Sequence, residues 1–238
     1  MSDPEPMATD RVASGRQALA PALQTRRISP MTSPIGVRRS SKRIIDVVIA
    51  SVLLAALSPL LLVVAIAVKL DSPGPLLFAH RRLGQHGRFF DCLKFRSMRI
   101  DAERLLRDDE TLQDWYVRNH FKIPTHLDRR VTRLGRFLRL TSLDELPQLW
   151  NVIRGDMSLV GPRPIVESEG AHYGDRLQEL LSIRPGLSGA WAVQGRSRVG
   201  YPHRVEIELA YLRTWSLRKD FGILIRTPWV VLTQRGCM

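Results

Sequence analysis

Residues 141 to 154, TSLDELPQLWNVIR, set two carboxylates side by side, Asp144 and Glu145, at the head of an amphipathic segment. Arg133, Arg136 and Arg139 come just before them, and Arg163, in the run GPRP at 161 to 164, comes just after. Guanidinium groups grip phosphate oxygens in a fork. With a phosphate held there, one carboxylate can attack phosphorus while its neighbour ligates Mg2+. The same residues fit a plainer role. Ser142 and Glu145 form S-x-x-E, the capping box of a helix start, where acids are favoured anyway. Leu143, Leu146, Leu149, Trp150 and Ile153 would line one side of that helix, with Asp144, Gln148 and Asn151 on the opposite, polar side and Gly155 as its stop. Helix cap and reactive pair are both open on this pattern.

The surroundings favour an anionic ligand. Among 238 residues, 36 Lys and Arg face 23 Asp and Glu, a net charge of +13. Nucleic acid, a phospholipid surface and a phosphorylated substrate all answer to such an excess. Residues 1 to 37 mix Pro, Ser, Thr, Arg and Ala without periodicity and read as a disordered tail. From Val47 to Val68 there is no charge for 22 residues, which as helix reaches about 33 Å and matches a hydrocarbon core of about 30 Å. Ser58 and Pro59 interrupt this membrane segment near its middle, where proline removes a backbone donor. Basic residues flank both ends, Arg38, Arg39, Lys42 and Arg43 before and Lys69, Arg81 and Arg82 after. A helix that turns back at Ser58 and Pro59 puts both basic ends on one side; a straight span separates them. Charge and kink leave the two topologies open.

Beyond Leu70 the composition is that of a soluble domain. Residues 76 to 98 alternate short apolar runs with Gly84 and Gly87 and predict a hairpin, while 101 to 117 predict a helix with Leu105, Leu106, Leu112 and Trp115 on one face. The segments 131 to 140 and 220 to 232 alternate apolar groups with arginines and suit a headgroup plane. Cys92 and Cys237 form no CxxC pair, and the six histidines show no metal-ligand spacing.

KRIIDVVIASVLLAALSP, the GQHGRFF stretch leading to KFRSM, RFLRLTSLDELPQLWNVIRGDMSLVGPRP, and IRPGLSGAW followed by AYLRTWSLRKDFGILIRT resemble, in order over residues 42 to 236, the bacterial sugar transferase family. These are monotopic polyprenyl-phosphate phosphoglycosyl transferases. Within it, the chain is similar to the short members that begin exopolysaccharide synthesis with galactose-1-phosphate or glucose-1-phosphate. The resemblance implies a mostly helical α+β fold: a disordered tail (1–37), a kinked, re-entrant membrane helix (38–72), and a compact cytoplasmic catalytic domain (73–238) with amphipathic interfacial helices and a small hairpin. It implies Asp144 as nucleophile toward the β-phosphate of a UDP-sugar, with UMP expelled and an aspartyl-phosphosugar intermediate passed to undecaprenyl phosphate. Glu145 matches the Mg2+ ligand, and Arg139 and Arg163 match phosphate-binding positions. Lys94 and Arg196 match further polar positions of the site, and Ser58 and Pro59 the helix break. The implied partners are UDP-sugar, undecaprenyl phosphate and inner-membrane lipids, not nucleic acid; a homodimer is allowed. The implied place is the bacterial inner membrane with the catalytic domain in the cytoplasm.

Four positions depart from the family pattern: His80 where many members have Gln, Arg129 where Pro is usual, and Ala192 and Ser197 near Trp191 and Arg196. They bear on sugar or nucleotide preference rather than on the reaction. A membrane-tethered nucleic-acid binder would cluster its basic residues with stacking aromatics, and here the arginines are spread among turns and apolar segments. A nonenzymatic membrane scaffold would make no demand on Asp144.

Overall fold

Pro59 has no N–H to give the carbonyl of Ala55, and the chain bends where that bond is missing. The hydroxyl of Ser58 donates to Ala55 O at 2.8 Å instead, so the freed acceptor is satisfied from the adjacent residue. Two helices result, α1 (Ile35–Ala56) and α2 (Ser58–Asp71). Among the described residues no single helix is long and apolar enough to cross a membrane; Ser40–Ala56 and Ser58–Asp71 reach that test only together, bent by 63°. The uncharged run expected as one kinked element is therefore a broken pair. This computed structural model describes residues 35–118, 123–125, 127–195 and 199–233, and for 35–39, 112, 117 and 118 the backbone alone. Residues 1–34 of the expected tail, together with Arg196, Ser197 and Cys237, lie outside the described residues. Contacts divide the chain between Arg38 and Arg39, and the features below belong to the second unit.

The fold is mostly helical α+β, with two small sheets. The expected hairpin forms from β1 (Leu77–Leu83) and β2 (Phe89–Phe95), antiparallel, with His80 opposite Cys92 and Arg82 opposite Phe90. The expected helix over 101 to 117 is two, α3 (Ala102–Asp108) and α4 (Glu110–Arg118), because Asp109 is extended (φ −110°, ψ 94°). Then follow α5 (Arg133–Thr141), a 3-10 turn (Leu143–Glu145), α6 (Gln148–Arg154) and β3 (Ser158–Val160). A second 3-10 stretch (Glu167–Arg176) runs into α7 (Leu177–Leu180), β4 (Gly186–Ser188) and α8 (Ala190–Val193). Two longer helices close the order, α9 (His203–Arg213) and α10 (Leu217–Leu232). Strands β3 and β4 pair in parallel. Gly161 follows β3 where a Cβ would stand 2.6 Å from Arg184 O, so only glycine lets the two backbones meet.

The core joins α6, β2 and β3 to α8, α9 and α10 through Leu149, Val152, Met157, Val160, Trp191, Ile207 and Ile223. A smaller cluster packs Val64 and Val68 of α2 on Phe95 and Leu138; each buried valine is worth roughly 1.5 kcal/mol or more. Polar groups fix the attachment. Arg43 of α1 donates to the carbonyls of Val152 and Ile153 at the end of α6, where Val152 O also takes the N–H of the capping Gly155. Arg96 does the same for Val68, Ser72 and Pro73 at the exit of α2. Other faces stay apolar and exposed: Leu62, Val63 and Ile66 on α2, Phe137 on α5, and Phe221, Ile225, Trp229 and Leu232 along α10.

Candidate active site

Asp144 and Glu145 do not start the helix that their sequence announces. They lie in the 3-10 turn Leu143–Glu145, and Pro147 separates them from α6. Ser142 takes the left-handed conformation (φ 58°) and makes no side-chain cap, so the capping box does not form. In that conformation Ser142 instead ends α5, its N–H bonded to Arg139 O at 3.3 Å, and turns the chain sharply into the pair. The expected polar side is corrected as well. Gln148 and Asn151 are buried with Leu149 and Val152, while Trp150 is 51% exposed. The reason is visible at Asn151, whose amide accepts from Leu93 N–H at 3.0 Å and donates to Asp91 O at 2.8 Å. An asparagine side chain thereby completes the edge of β2 and binds α6 to the hairpin.

This attachment brings the hairpin beside the acidic turn. Lys94 of β2 reaches Glu145, Nζ to Oε1 2.6 Å. Arg139 approaches from α5, with its Nε donating to Ser97 Oγ at 2.8 Å. That helix sits close because Gly135 faces Ser97; a Cβ there would stand 2.0 Å from Ser97 O. Burial holds Arg139 below the usual arginine value, and Asp144 counters that effect. Asp144 itself is 6% exposed, and among the described residues no ion pair holds its carboxylate. Burial first, and the adjacent Glu145 charge second, push it up to about 6, against the pull of Lys94 and Arg139. A carboxylate that is dehydrated and poorly compensated is a stronger nucleophile than one in water, provided the pH keeps it ionised.

Arg163 reaches the same neighbourhood from the loop after β3. Its N–H bonds Glu208 Oε1 at 2.9 Å, and its guanidinium lies 5.1 Å over the Trp191 ring. Glu208, also buried, accepts the Tyr173 hydroxyl and so anchors the GPRP backbone. The thiol of Cys92, opposite His80 on the hairpin, is pushed up to about 11 by burial and stays protonated at neutral pH. Lys94, Arg139, Asp144 and Glu145 therefore converge; the charge of Arg163 acts on His80, Arg82 and Cys92 of the adjoining hairpin, and Arg196 lies outside the described residues. Sequence reasoning passed over Arg82 as a site residue and set His80 aside as a departure. The signal was present, since residues 80, 82 and 94 share one face once 77–83 and 89–95 pair with period two.

A divalent cation is a reasonable guest. Among the described residues no group of three His, Cys, Asp or Glu could hold a metal. Mg2+ does not require one, because it keeps several waters and takes one or two carboxylates, with substrate phosphates completing its shell. The carboxylate of Glu145 fits that habit, and it also pairs with Lys94 Nζ at 2.6 Å.

A mostly helical α+β protein with an acidic turn among arginines and a broken apolar helix pair is the class that fold and site define. The bacterial sugar transferase family matches over residues 37–234, and the chain belongs to it. It is 42% identical over 207 residues to the undecaprenyl-phosphate galactose phosphotransferase of Salmonella typhimurium, covering 84% of this chain and 42% of that protein. It is 44% identical over 201 residues to the exopolysaccharide production protein ExoY of Sinorhizobium fredii, covering 82% and 87%. With the UDP-glucose:undecaprenyl-phosphate glucose-1-phosphate transferase of Caulobacter vibrioides it shares 41% over 206 residues, 81% and 70%. The chain spans 42% of the length of the Salmonella protein and of a UDP-galactose-lipid carrier transferase from Erwinia amylovora.

Proposed function

We propose that this protein transfers galactose-1-phosphate or glucose-1-phosphate from a UDP-sugar to undecaprenyl phosphate, releasing UMP, as the first step of exopolysaccharide synthesis. The observation that carries the reading is Asp144, buried, without an ion pair among the described residues, and flanked by Glu145, Lys94 and Arg139. The names of the relatives supply the substrates.

Asp144 attacks the β-phosphorus. A new bond forms from its carboxylate oxygen to phosphorus, the bridging bond to the α-phosphate breaks, and UMP leaves with that electron pair. The chain then holds a sugar phosphate as a mixed anhydride of Asp144. A phosphate oxygen of undecaprenyl phosphate attacks the same phosphorus, the bond to Asp144 breaks, and the carboxylate returns to its starting state. Arg139, Arg163 and Lys94 bind and orient phosphate oxygens and offset the charge that gathers on them, with Arg196 a further member from sequence. Glu145 holds Mg2+, which when bound neutralises diphosphate charge.

The acceptor phosphate lies at a membrane surface, so the site must lie there too. The 63° bend at Ser58 and Pro59 supports a re-entrant membrane helix over 38–72. Both basic flanks then face the cytoplasm with the catalytic domain, 73–238, and the tail, 1–37, on the monotopic inner-membrane protein. The exposed apolar stripes of α5 and α10 support their place in the headgroup plane.

The test uses the full chain in membranes that contain undecaprenyl phosphate, with UDP-galactose and UDP-glucose offered separately. UMP and a sugar-diphospho-lipid are expected from one donor or both, and neither product with Asp144→Asn. Absence of UMP from both donors overturns the reaction, and undiminished release by the variant overturns the role of Asp144.

A further inference from the structure

The hairpin face that presents Lys94 also presents His80 and Arg82, and the reaction above gives neither a task. Arg82 is held from three directions. Its Nη2 donates to His80 Nδ1 at 3.1 Å, its Nη1 donates to Pro164 O at 3.2 Å, and the same Nη1 lies 3.6 Å from Glu169 Oε2. Glu169 is fixed in turn by the N–H of Val166 at 3.1 Å. Leu83 N–H meets Ile165 O at 2.9 Å, so the end of β1 is stitched to the GPRP loop.

This stitching brings two guanidinium groups together. Burial, and next the charge of Arg163, hold Arg82 below the ordinary arginine value. Arg163 has a further need, because its Nε is buried and finds no hydrogen-bond partner among the described residues. A buried donor left unpaired keeps its full desolvation cost, and neighbouring like charges add to that. Glu169 is the one carboxylate within ion-pair distance of Arg82 among the described residues. An anion bearing several oxygens between Arg82 and Arg163 relieves both the repulsion and the orphaned donor.

We propose that Arg82 binds the diphosphate of the sugar nucleotide together with Arg163, and that His80 is a positioning residue which fixes the Arg82 fork by accepting its N–H at Nδ1. The assignment rests on the function proposed above for the identity of the diphosphate. Arginine only donates, so Nδ1 carries no proton and the ring is neutral, with its proton on Nε2. The groups that face the imidazole are Arg82, Lys94, Glu169 and Arg163; burial first and then Arg82 and Lys94 push His80 down to about 4, which keeps it neutral. A glutamine at this position offers a carbonyl oxygen to the same N–H, whereas leucine of similar volume offers nothing.

The test measures binding of inorganic pyrophosphate to the full chain by titration calorimetry, with the thermal midpoint recorded for each variant. Arg82→Gln is expected to raise Kd about tenfold or more, the loss of one charge-assisted fork. His80→Leu is expected to raise Kd several-fold, to about 5 times, and His80→Gln to restore it to within about 2 times the wild-type value. Should Arg82→Gln fail to fold, the two His80 variants decide the matter between them. The proposal is overturned if the wild type does not bind pyrophosphate, if Arg82→Gln binds like the wild type, or if Leu and Gln at position 80 bind alike. UMP release on the same preparations separates the two readings: pyrophosphate bound through Arg82 without UMP from either donor refutes the reaction and leaves the diphosphate site standing.

Discussion

Two aspartates in this protein are equally buried and differently furnished. Asp144 is 6% exposed and Asp220, near the start of α10, is 5% exposed. Asp220 receives Lys42 Nζ at 2.7 Å, the Tyr211 hydroxyl at 2.7 Å and Trp215 Nε1 at 3.1 Å. Its neighbour Asp46 takes the Ser158 hydroxyl at 2.7 Å and Leu159 N–H at 3.3 Å, so α1, β3 and α10 meet in one satisfied network. Asp144 has Lys94 and Arg139 near it, yet no ion pair closes on it among the described residues. Burial alone therefore does not separate a structural acid from one proposed to react. The count of donors does, because a carboxylate already saturated by hydrogen bonds has little to gain by attacking phosphorus.

The comparison breaks most visibly if the charge is removed from each acid in turn. Asp144→Asn is expected to lower UMP release by on the order of 10^4-fold or more, as loss of a nucleophile does. The same change should stabilise the fold. An acid whose folded value is raised, here to about 6, destabilises the native state fully at higher pH, and the penalty fades as pH falls through that value toward the ordinary carboxylate range. At pH 7.5 the variant is therefore expected to gain about 1 to 3 kcal/mol, and at pH 4 almost nothing. Asp220→Asn should behave in reverse. It leaves Lys42 with Asp46, 3.7 Å away, as its remaining acid, weakens the hydrogen bonds from Lys42, Tyr211 and Trp215, and costs about 1 to 3 kcal/mol, with activity lost only in proportion to folded protein. Denaturant melts of both variants at the two pH values check the pair; a destabilised Asp144→Asn would place that residue in the architecture.

A smaller effect follows from the same raised value. The attacking carboxylate must be ionised, so kcat in the wild type is expected to fall about tenfold per pH unit below about 6 and to level off above it. An ordinary exposed aspartate would keep the rate flat down to about 4. A flat profile to that point would show that Asp144 is better compensated than its surroundings indicate.

The sequence was readable wherever an element obeys a local rule. The bend follows from proline and its missing N–H, and the hairpin from Gly84 and Gly87 between alternating strands. Lys94 was chosen from its motif and lies beside Glu145. The segment 142 to 154 misled at its start and on its faces, where S-x-x-E and an apolar stripe agreed with each other, while Gly155 ends α6 as expected. What overrode them lies outside the segment. Asn151 is drawn inward by the open edge of β2, about 60 residues earlier, and Ser142 is turned left-handed by the end of α5. Arg82 escaped notice for a related reason, since its partners come from Pro164 and Glu169, more than 80 residues later. The network of Lys42, Asp46 and Asp220 joins the two ends of the described chain, and no periodicity announces it.

The finest test of the comparison acts on Asp144 without touching it. Lys94 opposes the rise of Asp144 directly and also neutralises Glu145, whose charge is the second cause of that rise. Lys94→Met removes both restraints, and they act with the same sign: the carboxylate of Asp144 is harder to ionise in the variant. The acid limb of the pH profile is therefore expected to move to higher pH, with the folding stability changing by less than about 1 kcal/mol because the lost ion pair is partly exposed. A weaker KM for the sugar nucleotide would accompany it through the lost phosphate contact, so the limb is read from kcat at saturating donor. A limb that stays in place while KM rises would mean that Lys94 serves the substrate alone, and that Arg139 is the charge which tempers the nucleophile.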